Sequence, residues 1–224
     1  MTVDAKICAK ICAKICGVSD RTAIDASVAG GARYVGFVFF PKSPRHVTPV
    51  QAAELSALLP ESVIPVALAV DPDDDLIAEI DAQAGVTMFQ LHGNETPERV
   101  AAIRSRTGKQ VMKAIKVSDV ADFDAAAAYL DVADMLLFDA KPPPEMANAL
   151  PGGNAISFDW TLLAGRDWPL PWMLSGGLDA ENVAEAIRVS GAAAVDVSSG
   201  VESAPGVKDA VRIADFLAVV KHAR

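Results

Sequence analysis

The chain has 224 residues, 51% of them apolar and 22% charged, with a formal net charge of −9. That composition fills one large core and excludes a disordered chain, and the acidic balance argues against nucleic acid or an anionic membrane as main partner, though a local cationic site for an anionic small molecule stays open. No apolar run reaches the roughly 20 residues of a membrane span, the start Met1-Thr2-Val3-Asp4 lacks a signal-peptide layout, and three cysteines, Cys8, Cys12 and Cys16, are no secreted disulfide framework; the reading is a cytoplasmic protein, monomer or homodimer.

Short apolar runs of strand character alternate with longer amphipathic runs from end to end. The periodicity predicts a strand at Lys14–Cys16 followed by a helix at Asp20–Ala29, then Arg33–Phe39 with Pro49–Leu59, and Ile64–Val70 with Asp73–Gln83. Thr87–Leu91 with Pro97–Arg106 and Val111–Val117 with Ala121–Tyr129 continue the alternation. The strand Met135–Asp139 is followed by a long connection holding only a short helix near Asp159–Leu163. Trp172–Ser175 with Ala180–Val189 and Ala193–Val197 with Lys208–Val220 close the series. Thr48-Pro49 and Thr96-Pro97 place a cap residue before proline at the first helical turn.

Eight βα units without a dinucleotide fingerprint imply an α/β fold of one closed (β/α)8 (TIM) barrel rather than an open doubly wound sheet. One domain then spans residues 1–224. The sequence Ala-Lys-Ile-Cys occurs three times in tandem, at Ala5–Cys8, Ala9–Cys12 and Ala13–Cys16, and one first strand needs only one copy. Residues 1–12 are therefore expected to form an N-terminal extension. A period of four gives no solenoid, and a thiol metal site is disfavoured because nothing else has metal-ligand spacing.

In such a barrel the chemistry sits at the C-terminal strand ends and the loops that follow. Strand seven ends in Ser175-Gly176-Gly177 and strand eight in Ser198-Ser199-Gly200. Glycines admit an anion to backbone N–H groups and serines add donors, so these adjacent ends predict a phosphate site, chiefly through the N–H groups around Gly176, Gly177, Ser199 and Gly200. Asp139 ends an apolar run and points inward if Phe138 packs on the helices, where it suits a general acid or a plain ion-pair partner. Cys16 precedes Gly17, and Lys14 shares its strand face, where the ammonium would favour a thiolate. Lys14 is expected to approach Asp196 inside the barrel. Arg45, in the loop Pro41-Lys42-Ser43-Pro44-Arg45, suits a bidentate carboxylate pair, or is ordinary surface arginine. The long Lys141–Gly153 loop lies at the same barrel face.

Taken in order, Lys14-Ile15-Cys16-Gly17-Val18, Val35-Gly36-Phe37-Val38-Phe39, Pro41-Lys42-Ser43-Pro44-Arg45, Gln90-Leu91-His92-Gly93, Leu137-Phe138-Asp139, Phe158-Asp159-Trp160, Leu174-Ser175-Gly176-Gly177-Leu178 and Asp196-Val197-Ser198-Ser199-Gly200-Val201-Glu202 resemble the phosphoribosylanthranilate isomerase family. The resemblance runs from about Lys14 to the end of the chain. It implies an Amadori rearrangement in tryptophan biosynthesis, without cofactor or metal, on a small phosphorylated substrate. It further implies Cys16 as general base, Asp139 as general acid and Arg45 as the group that binds the anthranilate carboxylate. The two extra Lys-Ile-Cys copies depart from the family pattern, and only Cys16 directly precedes the glycine.

Two rivals differ in kind. Another phosphosugar barrel enzyme, either a metal-dependent epimerase or the aminoaldose isomerase of histidine biosynthesis, would need converging metal ligands or an aspartate where Cys16 stands, and the only histidines are His46, His92 and His222. A non-catalytic barrel, inactivated by the duplication, is opposed by the joint retention of Cys16, Asp139 and Arg45.

Overall fold

A computed structural model describes residues 11–143 and 152–223. Its parallel strands close in chain order: β1 (Cys12–Cys16), β2 (Tyr34–Phe39), β3 (Ile64–Ala69), β4 (Met88–Leu91), β5 (Gln110–Val117), β6 (Met135–Ala140), β7 (Trp172–Leu174) and β8 (Ala194–Val197), with β8 pairing back onto β1. Outside lie α1 (Arg21–Gly30), α2 (Pro49–Ser56), α3 (Asp74–Gln83), α4 (Pro97–Thr107), α5 (Asp122–Ala127), α6 (Val183–Ser190) and α7 (Ala210–His222). The expected (β/α)8 barrel is present, and no helix among the described residues is long and apolar enough to cross a membrane.

Strand alternation sorts the side chains into two cores. One set of strand positions, including Val35, Phe37, Phe89, Leu136, Phe138, Leu174 and Val195, packs with the helices. The opposite set fills the barrel, where Tyr34, Val66, Met88, Met112, Met135, Leu137 and Met173 make one cluster. Four of these are methionines, whose unbranched chains fit an irregular interior. Helix starts follow the caps expected from sequence: Thr48 and Gln51 form a capping box before α2, and Thr96 caps α4.

Three elements start two or more residues from the expected position. The strand expected at Lys14–Cys16 starts at Cys12, because β8 offers a pairing partner as far back as Ala194. Cys12, placed in the extension on the repeat alone, thus belongs to the barrel; residues 1–10, including Cys8, lie outside the described residues, as do residues 144–151 of the long loop. Helix α6 starts at Val183 rather than Ala180, because the Asp179 carboxylate accepts the N–H groups of Glu181 and Asn182 and holds the chain in a turn. Lys208, expected to open the last helix, instead lies in a hairpin of β9 (Glu202–Ala204) and β10 (Val207–Lys208), and α7 starts two residues later with Asp209 as its cap.

The sixth unit has only a 3-10 turn, Trp160–Leu163, in place of a helix. Aromatic side chains cover β6 there. Phe138 lies 5.4 Å from Phe123, 4.8 Å from Trp168 and 5.7 Å from Trp172, ring centre to ring centre. Phe138→Ala is expected to lower the unfolding free energy by about 3–5 kcal/mol through the cavity it leaves, read as a lower urea midpoint at unchanged slope.

Candidate active site

Strand β1 delivers Cys16 to the barrel mouth, and Gly17 then turns the chain at φ 76°, its N–H donating to Gly36 O at 2.8 Å. Cys16 is a free, buried thiol. Below it on the same strand face, Lys14 is fully buried and donates to Asp196 Oδ1 at 2.8 Å, while Ser175 Oγ donates to Asp196 Oδ2 at 3.2 Å. The expected approach of Lys14 and Asp196 is met. Room for this group comes from β2: a Cβ on Gly36 would lie 3.0 Å from Cys16 Sγ and 3.1 Å from Lys14 Nζ. Burial opposes the Lys14 charge, but Asp196 and Cys16 outweigh it and hold the ammonium above its ordinary range. Burial also dominates at Cys16 and pushes the thiol up, against the opposing pull of Lys14. Lys14 was expected to favour the thiolate; its charge acts in that direction but is already neutralised by Asp196, so desolvation wins.

Asp139, the last residue but one of β6, lies three strands round the barrel from β1. Its Oδ2 lies 3.0 Å from His92 Nε2, its Oδ1 accepts the N–H of Ala140 at 3.0 Å, and Gln90 Nε2 lies 2.9 Å from His92 Nδ1. Gln90 and His92 share the inward face of β4 and its end. With this amide orientation Gln90 Oε1 is buried and meets no partner among the described residues. Turning the amide over lets that oxygen accept Nδ1–H, leaving His92 Nε2 free to accept a proton from Asp139.

The β7 and β8 ends form the opposite rim. Gly176 and Gly177 have φ of 94° and 62°, and among the described residues their N–H groups meet no backbone acceptor. Ser198 Oγ donates to Cys16 O at 3.1 Å, which ties this rim to the end of β1. Arg45, on the β2 loop, is buried, and its bidentate edge is already occupied: Nε donates to Glu202 Oε1 at 2.7 Å and Nη2 to Glu202 Oε2 at 2.9 Å. Lys208 Nζ donates to Glu202 Oε1 at 2.6 Å and to Ser198 O at 2.9 Å. Burial opposes charge on Glu202, yet Arg45 and Lys208 together hold its carboxyl below the ordinary range.

One cleft joins these groups. Cys16, Arg45, Asp139, Ser175, Gly176, Gly177, Ser198 and Ser199 all line it, with His92, Asp196, Gly152 and Gly153. Gly200 does not; its α-carbon packs against the carbonyl of Leu178, where a side chain would not fit. Sequence reasoning left Gln90, Glu202 and Lys208 without a role, and gave His92 none beyond its place in the motif. Only the inward parity of β4 pointed to Gln90 and His92, and nothing local marked the hairpin that carries Glu202 and Lys208. Among the described residues no group of three or more His, Cys, Asp or Glu side chains could hold a metal ion.

Residues 13–219 match the family described as N-(5'phosphoribosyl)anthranilate (PRA) isomerase. An N-(5'-phosphoribosyl)anthranilate isomerase of Paramagnetospirillum magneticum is 58% identical over 224 residues, covering all of both chains. Among solved structures, a phosphoribosyl anthranilate isomerase from Thermotoga maritima superposes with a TM-score of 0.84 at 38% identity, over 94% of this chain and 98% of that one. Another such isomerase, in complex with reduced 1-(o-carboxyphenylamino)-1-deoxyribulose 5-phosphate, superposes at 0.79 with 35% identity over the same shares. With nearly the whole barrel matched, and Cys16, Asp139 and Arg45 gathered in one cleft, the chain belongs to the N-(5'-phosphoribosyl)anthranilate isomerase family.

Proposed function

We propose that the barrel converts N-(5'-phosphoribosyl)anthranilate into 1-(2-carboxyphenylamino)-1-deoxyribulose 5-phosphate with Cys16 as general base and Asp139 as general acid. Family membership makes the chain an isomerase of tryptophan biosynthesis. The observation that supports the residue roles is the placing of one thiol and one carboxyl three strands apart across a single cleft rimmed by the β7 and β8 ends. The substrate's phosphate sits at Gly176, Gly177, Ser198 and Ser199, the β7 and β8 ends that line the cleft. Its carboxylate faces Arg45. We place the protein in the cytoplasm, where its phosphorylated substrate is made and used.

Asp139 gives its proton to the ribose ring oxygen as the C1'–O bond breaks, and the nitrogen lone pair forms the C1'=N iminium. Cys16, as thiolate, takes the proton from C2' and leaves an enolamine. The proton on sulfur goes to C1' and that of the C2' hydroxyl to the Asp139 carboxylate, which gives the ketone and restores both groups. His92 holds Asp139 in place through the contact of its Nε2 with Asp139 Oδ2. The iminium is a cation formed close to Cys16, and an adjacent positive charge favours the thiolate that burial disfavours. No cofactor enters these steps.

Cys16→Ser and Asp139→Asn are each expected to lower kcat about 10²–10⁴-fold, whereas Cys8→Ser and Cys12→Ser stay near the parent rate, all read from the loss of substrate fluorescence at saturating substrate. Collapse of the Cys12→Ser enzyme with a near-normal Cys16→Ser enzyme would move the base to an earlier repeat copy. The pH profile gives a second check. A base with its thiol pKa raised is mostly protonated at neutral pH, and its reactive form grows as pH rises. The expected kcat/KM therefore climbs from neutrality into the alkaline range and loses that climb in Cys16→Ser; a flat wild-type profile there would remove Cys16 as base.

A further inference from the structure

Arg45 is held as few arginines are. Its aliphatic stem passes over Gly17 and its guanidinium lies against Gly153: a Cβ on Gly17 would come within 2.6 Å of Arg45 Cδ, and one on Gly153 within 2.7 Å of Nη1. Glu202 then grips one edge of the guanidinium with both carboxylate oxygens. That carboxylate is itself fully engaged. Oε1 accepts from Arg45 Nε and from Lys208 Nζ; Oε2 accepts from Arg45 Nη2 and, at 3.1 Å, from the N–H of Gly206. A carboxylate with both oxygens doubly occupied cannot rotate, so the arginine it holds cannot swing either.

The charge count matters as much as the geometry. Two buried cations share one buried anion, leaving one positive charge unmatched within the cluster. Nε and one Nη2 proton are spent on Glu202, and the outer Nη2 proton rests on Gly153 O at a long 3.3 Å. Among the described residues the Nη1 protons have no acceptor. The outer edge of the guanidinium, Nη1 with the weakly held outer Nη2 proton, is turned away from Glu202, and Arg45 lines the cleft.

We propose that Glu202 is a positioning residue that locks Arg45 so that its outer edge meets the substrate carboxylate, and thereby makes the site selective for an aminoaldose phosphate whose amine carries a carboxylated ring. The proposal rests on the reading of Arg45 given above. The hairpin β9–β10 exists, on this view, to carry the lock: it returns Lys208 and the Gly206 N–H to the carboxylate that β9 begins with. Without Glu202 the two cations repel, Arg45 loses its fixed plane, and the carboxylate is met by a mobile group. Binding weakens chiefly for substrates that have the carboxylate.

The test compares kcat/KM for N-(5'-phosphoribosyl)anthranilate with that for N-(5'-phosphoribosyl)aniline, which lacks only the carboxylate, in the parent, Glu202→Gln, Glu202→Asp, Arg45→Met and the Arg45→Met/Glu202→Gln double variant. Glu202→Gln is expected to raise KM for the carboxylated substrate about 10–100-fold, the size of a charged hydrogen bond, with a much smaller change in kcat, and to reduce the preference ratio by a similar factor. In the double variant the ratio falls no further than in Arg45→Met, because both changes remove one interaction. A parental ratio in Glu202→Gln beside a collapsed ratio in Arg45→Met overturns the proposal and leaves the Arg45 reading intact. A parental ratio in Arg45→Met overturns the Arg45 reading instead, and the proposal with it. If Glu202→Gln does not fold, Glu202→Asp decides, since it keeps the charge but draws the carboxylate back by one methylene: a reduced ratio supports the lock and a parental ratio overturns it.

Discussion

A buried ion pair lies on the seam where the last strand closes onto the first. Lys14 of β1 and Asp196 of β8 are register partners as well as charge partners, and both side chains point into the barrel. Two charges taken out of water are tolerated only when each satisfies the other. The pair therefore penalises any slippage by one residue, which would turn Lys14 out among the helices and leave Asp196 alone inside. Cys16 sits one step along the same strand face, so the contact that closes the barrel also sets the height of the thiol in the cleft. Gly36 completes the arrangement by leaving an empty place on β2 where any side chain would press on both Lys14 and Cys16.

Buried charges of both signs gather at the cleft of an acidic chain. Lys14, Arg45 and Lys208 are all buried at or near it, faced by Asp196 and Glu202. The net charge of −9 spreads over the whole surface, whereas these groups act at short range in a low dielectric, where they are worth far more. An anionic substrate thus meets buried cations at short range although the molecule as a whole is acidic. The three cations are also distinct in kind. Lys14 is matched by Asp196 and lies beneath the thiol, Lys208 braces the β8 rim through Ser198, and Arg45 keeps an Nη1 that meets no acceptor among the described residues.

Much of this was legible before any coordinates. Period-two and helical patterns located every barrel strand to within about two residues, and the order of motifs at strand ends named the groups that line the cleft. The direction of Asp139 followed from parity, since Phe138 packs outward among Phe123, Trp168 and Trp172. The tandem repeat is instructive because it defeats local reasoning. A shift of β1 by four residues keeps the strand facing and brings Lys10 where Lys14 stands, so even the ion pair does not distinguish the copies. The discriminating residue is Gly17, whose positive φ and N–H to Gly36 O end the strand after the last copy.

What the sequence determined by itself was therefore whatever depends on neighbours along the chain: strand and helix periods, caps, and the glycine that stops β1. What only the tertiary structure decided depends on neighbours in space. Glu202 reaches Arg45 across 157 positions of sequence, and His92 reaches Asp139 across 47. Desolvation of Cys16, which pushes its thiol up despite the lysine two residues away, is a property of the closed barrel and not of any short segment. Hydrogen bonds and Coulomb forces act over a few ångströms of space, and only barrel closure brings these residues that near.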